Sequence, residues 1–341
     1  MRRYLIPRTD LWAAPVCLGT GGFTIEQEQQ ARDQLDRFID LGGNLIDTAN
    51  VYGRKKPGHE NQSEQILGRW LQDRGQPSDL LISSKGGHPS PEDMHRSRLD
   101  PASLAADLDS SRISLGRDCI DLYFLHRDDP DQPVEALLSQ LELFRQSGKI
   151  RCYGLSNWTA DRLEQALAWS RQQTSSGLAA LQNRWSLARF NPEGTTDDTL
   201  AEVDGQIWAI LAEENLALLA YSALAKGFFS KILPDPASAP QTDAPEENSR
   251  ISMTLDAIPE KLRRYYENEL NNKRAQAVFQ LTASKKARPA QIALAWMLHQ
   301  PFPVFPIVAF SSLKQLDEAM GAPALHLIPD DMDRLAAGSV Y

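Results

Sequence analysis

Short apolar runs ending in polar residues alternate along the whole chain with amphipathic stretches of helical period. Residues 16–18 precede a helical pattern over 26–41, 44–47 precede 63–71, and 80–84 precede 101–115. The order repeats at 120–125 with 133–146, 150–155 with 160–171, and 178–181 with 199–214. A run at 216–220 leads after a long gap to 273–283, and 304–308 leads to 313–320. Asn61, three residues before Glu64, predicts an N-cap for the second helix. Eight strand-then-helix units in one chain predict an α/β architecture, a (β/α)8 TIM barrel, rather than an open doubly wound sheet. The first strand-to-helix turn agrees: Gly19-Thr20-Gly21-Gly22-Phe23 lacks the third glycine and the acidic partner of a dinucleotide-binding fingerprint. No linker divides the pattern, so residues 1–341 read as one barrel domain, with a short hairpin in 2–12 closing its bottom.

One stretch breaks the rhythm. The loop after the seventh strand, 222–272, is far longer than an ordinary connection, and 234–249 is rich in Pro, Ala, Asp and Glu. It is expected to be flexible or to act as a lid over the catalytic face.

Composition narrows the class. With 42% hydrophobic and 24% charged residues, the 341-residue chain reads as a globular protein whose core needs no disulfide or metal. Cys17, Cys119 and Cys152 are odd in number and far apart, which predicts free thiols in a reducing cytoplasm, the first and last buried and inert. The net charge of −9 argues against nucleic acid or an anionic membrane as partner. The basic start has no apolar segment behind it, and the stretches at 216–225 and 292–298 are about half a membrane span. A cytoplasmic protein is expected. No hydrophobic stripe legible in the sequence fixes an oligomeric state.

In a barrel of this kind chemistry sits where the strands end. The second strand ends in Asp47 with Tyr52 five residues on, the third in Ser84-Lys85, and the fourth in His126, followed by Arg127, Asp128 and Asp129. The fifth ends in Ser156-Asn157, the sixth in Gln182-Asn183 and the seventh in Tyr221-Ser222. Converging at one mouth, Asp47, Tyr52, Lys85 and His126 form a proton-transfer device. Bringing a tyrosine from pKa near 10 toward 7–8 takes about 3–4 kcal/mol, and an ammonium about 4 Å away supplies roughly that at an effective dielectric near 20. Lys85 is thus expected to lower Tyr52, Asp47 to keep the lysine charged, and His126 to bond the substrate oxygen. Tyr52 is then general acid in reduction and base in oxidation.

These residues carry a resemblance over essentially the whole chain. Asn44-Leu45-Ile46-Asp47-Thr48-Ala49-Asn50-Val51-Tyr52-Gly53, followed by Ser63-Glu64 and Leu67-Gly68, resembles the Asp-to-Tyr motif of the aldo-keto reductase superfamily. Ser84-Lys85, the stretch from Asp118 through Asp121 to His126, and the block from Gly148 through Gly154 to Ser156-Asn157 resemble its next motifs in order. The resemblance implies a carbonyl–alcohol oxidoreductase holding an extended NADP(H) across the barrel mouth without a Rossmann domain. A sensor or partner subunit that binds NADP(H) with little turnover is the alternative it also allows. It implies that Ser156, Asn157 and Gln182 contact the carboxamide, that Tyr221 stacks on the nicotinamide, and that Ser222, Leu224, Lys226 and Gly227 form the pyrophosphate loop. Gly21 is counted with the cofactor residues. After the eighth strand many members place Lys or Arg for the adenosine 2′-phosphate. Here Ser311, Lys314 and Gln315 stand in that segment, with Lys314 its only cation, so NADP is favoured and NAD stays open. Glu318 matches an adenine-contacting position.

Substrate choice is expected in loops 21–26, 86–100, 127–131 and 222–272. The charges of Arg127 and Asp128 beside the histidine favour a polar carbonyl or polyol such as a sugar, keto-sugar or cyclitol, with Trp12, Phe23 and Trp158 as stacking surfaces. The charges pairing among themselves and the aromatics packing at the rim is the competing expectation. His88 and His95 are not read as metal ligands, because clustered carboxylates or an HxH are missing from the strand ends.

Overall fold

The computed structural model describes residues 1–53, 61–90, 92–173, 176–233 and 258–338. The middle of the long loop, for which flexibility or a lid was expected, lies outside the described residues. A two-stranded antiparallel hairpin, β1 (Tyr4–Leu5) and β2 (Trp12–Ala13), opens the chain. Eight parallel strands then close a barrel: β3 (Cys17–Gly19), β4 (Leu45–Asp47), β5 (Leu81–Gly86), β6 (Ile120–Leu125), β7 (Ile150–Ser156), β8 (Leu178–Gln182), β9 (Ala217–Ala220) and β10 (Val304–Val308). The helices around it are α1 (Glu28–Asp40), α2 (Gln62–Arg74), α3 (Pro101–Leu115), α4 (Val134–Gln146), α5 (Ala160–Arg171), α6 (Gly205–Glu214), α7 (Phe228–Ile232), α8 (Glu260–Tyr266), α9 (Glu269–Lys285), α10 (Pro289–Leu298), α11 (Leu313–Met320) and α12 (Pro329–Ala336). None of the described helices is long and apolar enough to cross a membrane.

Two apolar clusters follow from the period of a strand. Leu18, Ile46, Ile82, Tyr123, Leu125, Tyr153 and Leu155 face outward into the layer packed against the helices. Cys17, Leu45, Leu81, Leu122, Phe124, Cys152, Ala217 and Leu219 face into the barrel, and Ile6 and Leu11 of the hairpin seal it from below. Continuing the inward face in steps of two reaches Asp47, Lys85, His126, Ser156, Gln182 and Tyr221, one step past the last inward apolar residue or, through Ser83 and Gly154, two. The barrel's alternation therefore carries six polar side chains to one mouth above an apolar floor. Cys17 and Cys152 belong to that floor, and burial pushes both thiols up, which keeps them inert.

Several boundaries differ from the sequence reading for local reasons. The helix expected from 199 starts at Gly205, because the Asp204 carboxylate caps it by accepting from the Ile207 N–H at 2.8 Å. Asn61 stands at the N-cap of α2 in a left-handed conformation (φ 59°), but its side chain donates to Ser110 Oγ instead of capping. Helix α10, unpredicted, is buried on nearly all sides and so shows no amphipathic period.

Candidate active site

The loop after β4 folds back over the mouth. Its Asn50 N–H donates to the Lys85 carbonyl at 3.1 Å and the Tyr52 N–H to the Ala49 carbonyl at 3.0 Å, which returns the Tyr52 ring to the barrel end. Lys85 Nζ then donates to Asp47 Oδ2 at 2.7 Å and the Thr48 carbonyl at 2.6 Å, and lies 3.2 Å from Tyr52 Oη. It also stands 4.7 Å from the centre of the Tyr52 ring. Asp47 accepts from Ser83 Oγ at 2.6 Å and Gln182 Nε2 at 3.0 Å as well, so the carboxylate is fixed by three donors.

His126 stacks edge-to-face on Tyr52, with ring centres 5.9 Å apart, and its Nδ1 is buried with no hydrogen-bond partner among the described residues. Burial, helped by His88, Lys85 and Arg127, pushes it well below the usual imidazole range, so it is neutral at pH 7. For Tyr52 burial is the largest influence and raises its pKa; Lys85 draws it down only in part. The sequence expectation of a tyrosine lowered toward neutrality is corrected here: the ammonium is where Coulomb's law needs it, but desolvation of the phenolate outweighs it. Burial would push Lys85 down, yet Asp47 and Tyr52 outweigh it and hold the lysine up and charged.

Beside this group, Ser156 Oγ donates to the Gln182 carbonyl at 2.7 Å, Asn157 Nδ2 to the His126 carbonyl at 3.1 Å, and Tyr221 Oη to Asn157 Oδ1 at 2.7 Å. Burial pushes Tyr221 up to about 12, so it stays protonated. Gly21 lies against the Tyr52 ring, where a Cβ would stand 3.6 Å from it. After Tyr221, Ser222, Ala225, Lys226 and Gly227 all take positive φ, and Leu224 opens the short turn they form. The Lys226 ammonium sits 5.8 Å from the Tyr265 ring centre. Ser311 donates to Gln315 Oε1 at 2.8 Å, Ser312 caps α11 and leaves Lys314 in its first turn, and Glu318 lies 4.0 Å from Arg288. Lys314 is thus not the sole cation near that segment, because the fold brings Arg288 from ahead of α10.

Three expected substrate residues, Trp12, Trp158 and Asp128, are withdrawn from the mouth, whereas Phe23, though nearly buried, lines a pocket at the strand ends with Gly19, Gly22, Phe310 and Ser311. Trp12 is on β2 at the barrel bottom, where its carbonyl accepts from Asn44 Nδ2, and it is 56% exposed to solvent on that side. Trp158 is fully buried beneath the Arg162 guanidinium, 4.9 Å from its ring centre. Asp128 is consumed by Arg162, with contacts of 2.8 Å to each oxygen. Arg127 does remain at the mouth.

The sequence reading missed the stretch between β8 and α6. Arg127 Nε donates to Thr199 Oγ1 at 2.9 Å and pairs with Asp197 at 3.5 Å, while His95 meets Asp198 at 3.5 Å. Placing the helix start at Asp204 rather than Thr199 would have exposed this long connection as a functional loop. His88, set aside as a metal ligand, lies edge-to-face on His126 at 4.6 Å.

Behind the site, Ser84 faces outward and donates to Glu64 Oε1 on α2 at 2.5 Å. Burial pushes the Glu64 carboxyl up to about 7. A folded-state value above the unfolded one means its contribution to stability is complete below pH 4.5 and lost as pH rises through 7. That loss is about 3 kcal/mol. Urea unfolding at pH 5 and pH 8 is expected to show wild type losing most of this amount relative to Glu64→Gln, which keeps the acceptor for Ser84 and cannot ionise. Parallel pH dependence in the two proteins would contradict the buried titration.

The model of the Aldo/keto reductase family matches residues 15–338. Over 310 residues the chain is 26% identical to aldo-keto reductase yakc (NADP(+)) of Schizosaccharomyces pombe, an alignment that spans 90% of this chain and 82% of the relative. The crystal structure of the thermostable aldo-keto reductase Tm1743 with the inhibitor epalrestat aligns at a TM-score of 0.69 and 23% identity over 99% of both chains, a likeness of fold.

Proposed function

The chain belongs to the aldo/keto reductase family, and from that premise we propose that it is an NADP(H)-dependent oxidoreductase interconverting a carbonyl and an alcohol; a sugar, keto-sugar or cyclitol as substrate class is supported by the charge of Arg127 next to His126. The observation that carries the reading is the contact of Lys85 Nζ with both Asp47 (2.7 Å) and Tyr52 Oη (3.2 Å) beside a neutral His126. The relative's designation, NADP(+), supports the choice of cofactor.

The residues present fit such a cofactor. A carboxamide needs both donors and acceptors, and Ser156, Asn157 and Gln182 offer hydroxyl and amide groups side by side on one rim. Tyr221, half-buried next to them, offers a flat face, and the turn through Ser222, Leu224, Lys226 and Gly227, left-handed at Ser222, Ala225, Lys226 and Gly227, is a backbone cradle of the kind that holds phosphates. Ser311, Lys314 and Gln315 with Glu318 would meet the adenosine end. When bound, the nicotinamide supplies or takes up the hydride.

The chain's own residues move the proton. In reduction Tyr52 Oη gives its proton to the carbonyl oxygen as negative charge develops there, and His126 Nε2 donates a hydrogen bond that fixes the same oxygen. Lys85 stabilises the phenolate left behind, and Asp47 holds the lysine in place and charged. In oxidation Tyr52 works as the base. A fluorescence titration with NADPH and NADH, followed by hydride transfer to a panel of aldehydes, ketones and keto-sugars, tests the reading. Tighter binding of NADPH and its oxidation by polar carbonyls are expected. Firm cofactor binding with no hydride transfer to any of them would make the protein a binding subunit instead.

A further inference from the structure

We propose that Arg127 and Asp197 form a paired specificity element at the mouth that selects neutral, hydroxylated carbonyl compounds over carboxylate-bearing ones; this rests on the oxidoreductase reading above. Arg127 follows His126 directly, is buried, and shares the His126 carbonyl with Asn157, and its charge acts on Tyr52, Tyr221, His88 and His126. Its planar fork is held from three sides: Nε on Thr199 Oγ1 at 2.9 Å, Nη1 on the His126 carbonyl at 3.0 Å, and Nη2 facing Asp197 Oδ2 at 3.5 Å. Asp197 is itself fixed through Oδ1, which accepts from the Thr199 N–H at 3.1 Å and its hydroxyl at 2.5 Å, and its side chain keeps 29% of its surface exposed.

A lone buried arginine beside a catalytic histidine would attract an anion. This one is not alone. Four cations around the mouth each have a carboxylate on them: Lys85 has Asp47, Arg127 has Asp197, Arg98 has Asp107 and Arg184 has Glu202. Burial pushes His88 down to about 4 and His126 well below its usual range, so neither imidazole adds a positive charge at neutral pH. A substrate carboxylate reaching Arg127 would therefore have to lie beside Asp197, like charge against like. A hydroxyl meets no such conflict, because its oxygen accepts from the guanidinium while its proton goes to Asp197. The pair thus presents one donor and one acceptor at a fixed spacing next to the reacting carbonyl.

The test compares kcat/KM with NADPH for glyceraldehyde, propanal and succinic semialdehyde. Wild type is expected to favour glyceraldehyde over propanal by about tenfold or more, the size of a hydrogen bond to a charged group, and to rank the semialdehyde last. Asp197→Asn keeps Oδ1 for Thr199 and replaces the Oδ2 that faces Arg127 with an amide NH2, so the pair loses both its negative charge and its acceptor for a hydroxyl proton. It is expected to bring the glyceraldehyde-to-propanal ratio toward one and to raise the semialdehyde-to-propanal ratio by about tenfold. If Asp197→Asn does not fold, Arg127→Lys tests the same pair, since it keeps the charge and loses the fork: a lost glyceraldehyde preference supports the pair and a retained one overturns it. Equal ratios in wild type, or ratios unmoved by Asp197→Asn, overturn the inference while leaving the oxidoreductase intact. No turnover of any of the three with either nicotinamide would instead bring down the oxidoreductase reading, and the inference with it.

Discussion

Tyr52→Phe is expected to lower kcat/KM for carbonyl reduction by about 10²–10⁴-fold, the range of a lost general acid, while NADPH affinity stays nearly unchanged. The substitution removes only the hydroxyl that contacts Lys85 Nζ and leaves the ring packed against His126 and Gly21. The pH profile separates this role from simple damage. Because burial holds Tyr52 above the ordinary tyrosine value, with Lys85 countering only in part, the proton-donating form is full at neutral pH and is lost only as pH rises through that elevated value. Reduction by wild type should accordingly be flat in this group from neutrality past pH ~9, while oxidation, which needs the phenolate, should climb throughout. In Tyr52→Phe that climbing limb should vanish. Steady-state rates in both directions across pH check it, and unchanged turnover in the variant, or an oxidation midpoint near pH ~7, would remove Tyr52 from the role.

What the sequence could show of this site depended on whether the information was local. Asp47, Lys85 and His126 were legible because each continues an inward-facing alternation begun by Leu45, Leu81 and Leu122, so identity and direction are read together. Tyr52 is on no strand; it was found through a motif, and the Asn50–Lys85 backbone bond is what brings it back. Gly68 of the same motif has a reason no single segment contains: a Cβ there would come within 2.0 Å of the Ser114 carbonyl where α2 crosses α3. Trp12 and Trp158 were misplaced because an aromatic residue near a strand end does not say which end of the barrel, or which side of a turn, it occupies. Asp197 was missed because its partner is 70 residues earlier and its loop was read as leading straight into a helix. The sign of the Tyr52 shift failed for a related reason, since the attraction to Lys85 depends on one distance whereas desolvation depends on everything packed around the ring.

Lys85→Met is expected to cost about 3–5 kcal/mol of stability, the penalty for leaving a buried ion without its partner, in addition to a large loss of rate. Asp47 is 1% exposed, and once the lysine is gone the donors its carboxylate keeps among the described residues are Ser83 Oγ and Gln182 Nε2, neither of them charged. For a protein of ordinary stability, about 5–15 kcal/mol, this is a large fraction. Adding Asp47→Asn removes the uncompensated charge while keeping an acceptor and the shape of the site. The double variant should therefore recover much of the stability in urea unfolding, with a coupling energy well above that of an exposed pair. Activity should not return with it. Lys85 draws Tyr52 down, so without it the phenol rises further, and the oxidation limb should move to higher pH in both the single and the double variant. Stability that recovers while the rate profile stays displaced would separate the two jobs of the lysine: neutralising Asp47 in the folded barrel, and stabilising the Tyr52 phenolate. A single variant as stable as wild type would mean that Asp47 is not a charged partner in the native state. A profile that keeps its midpoint would mean that Tyr52 is tuned by something other than Lys85.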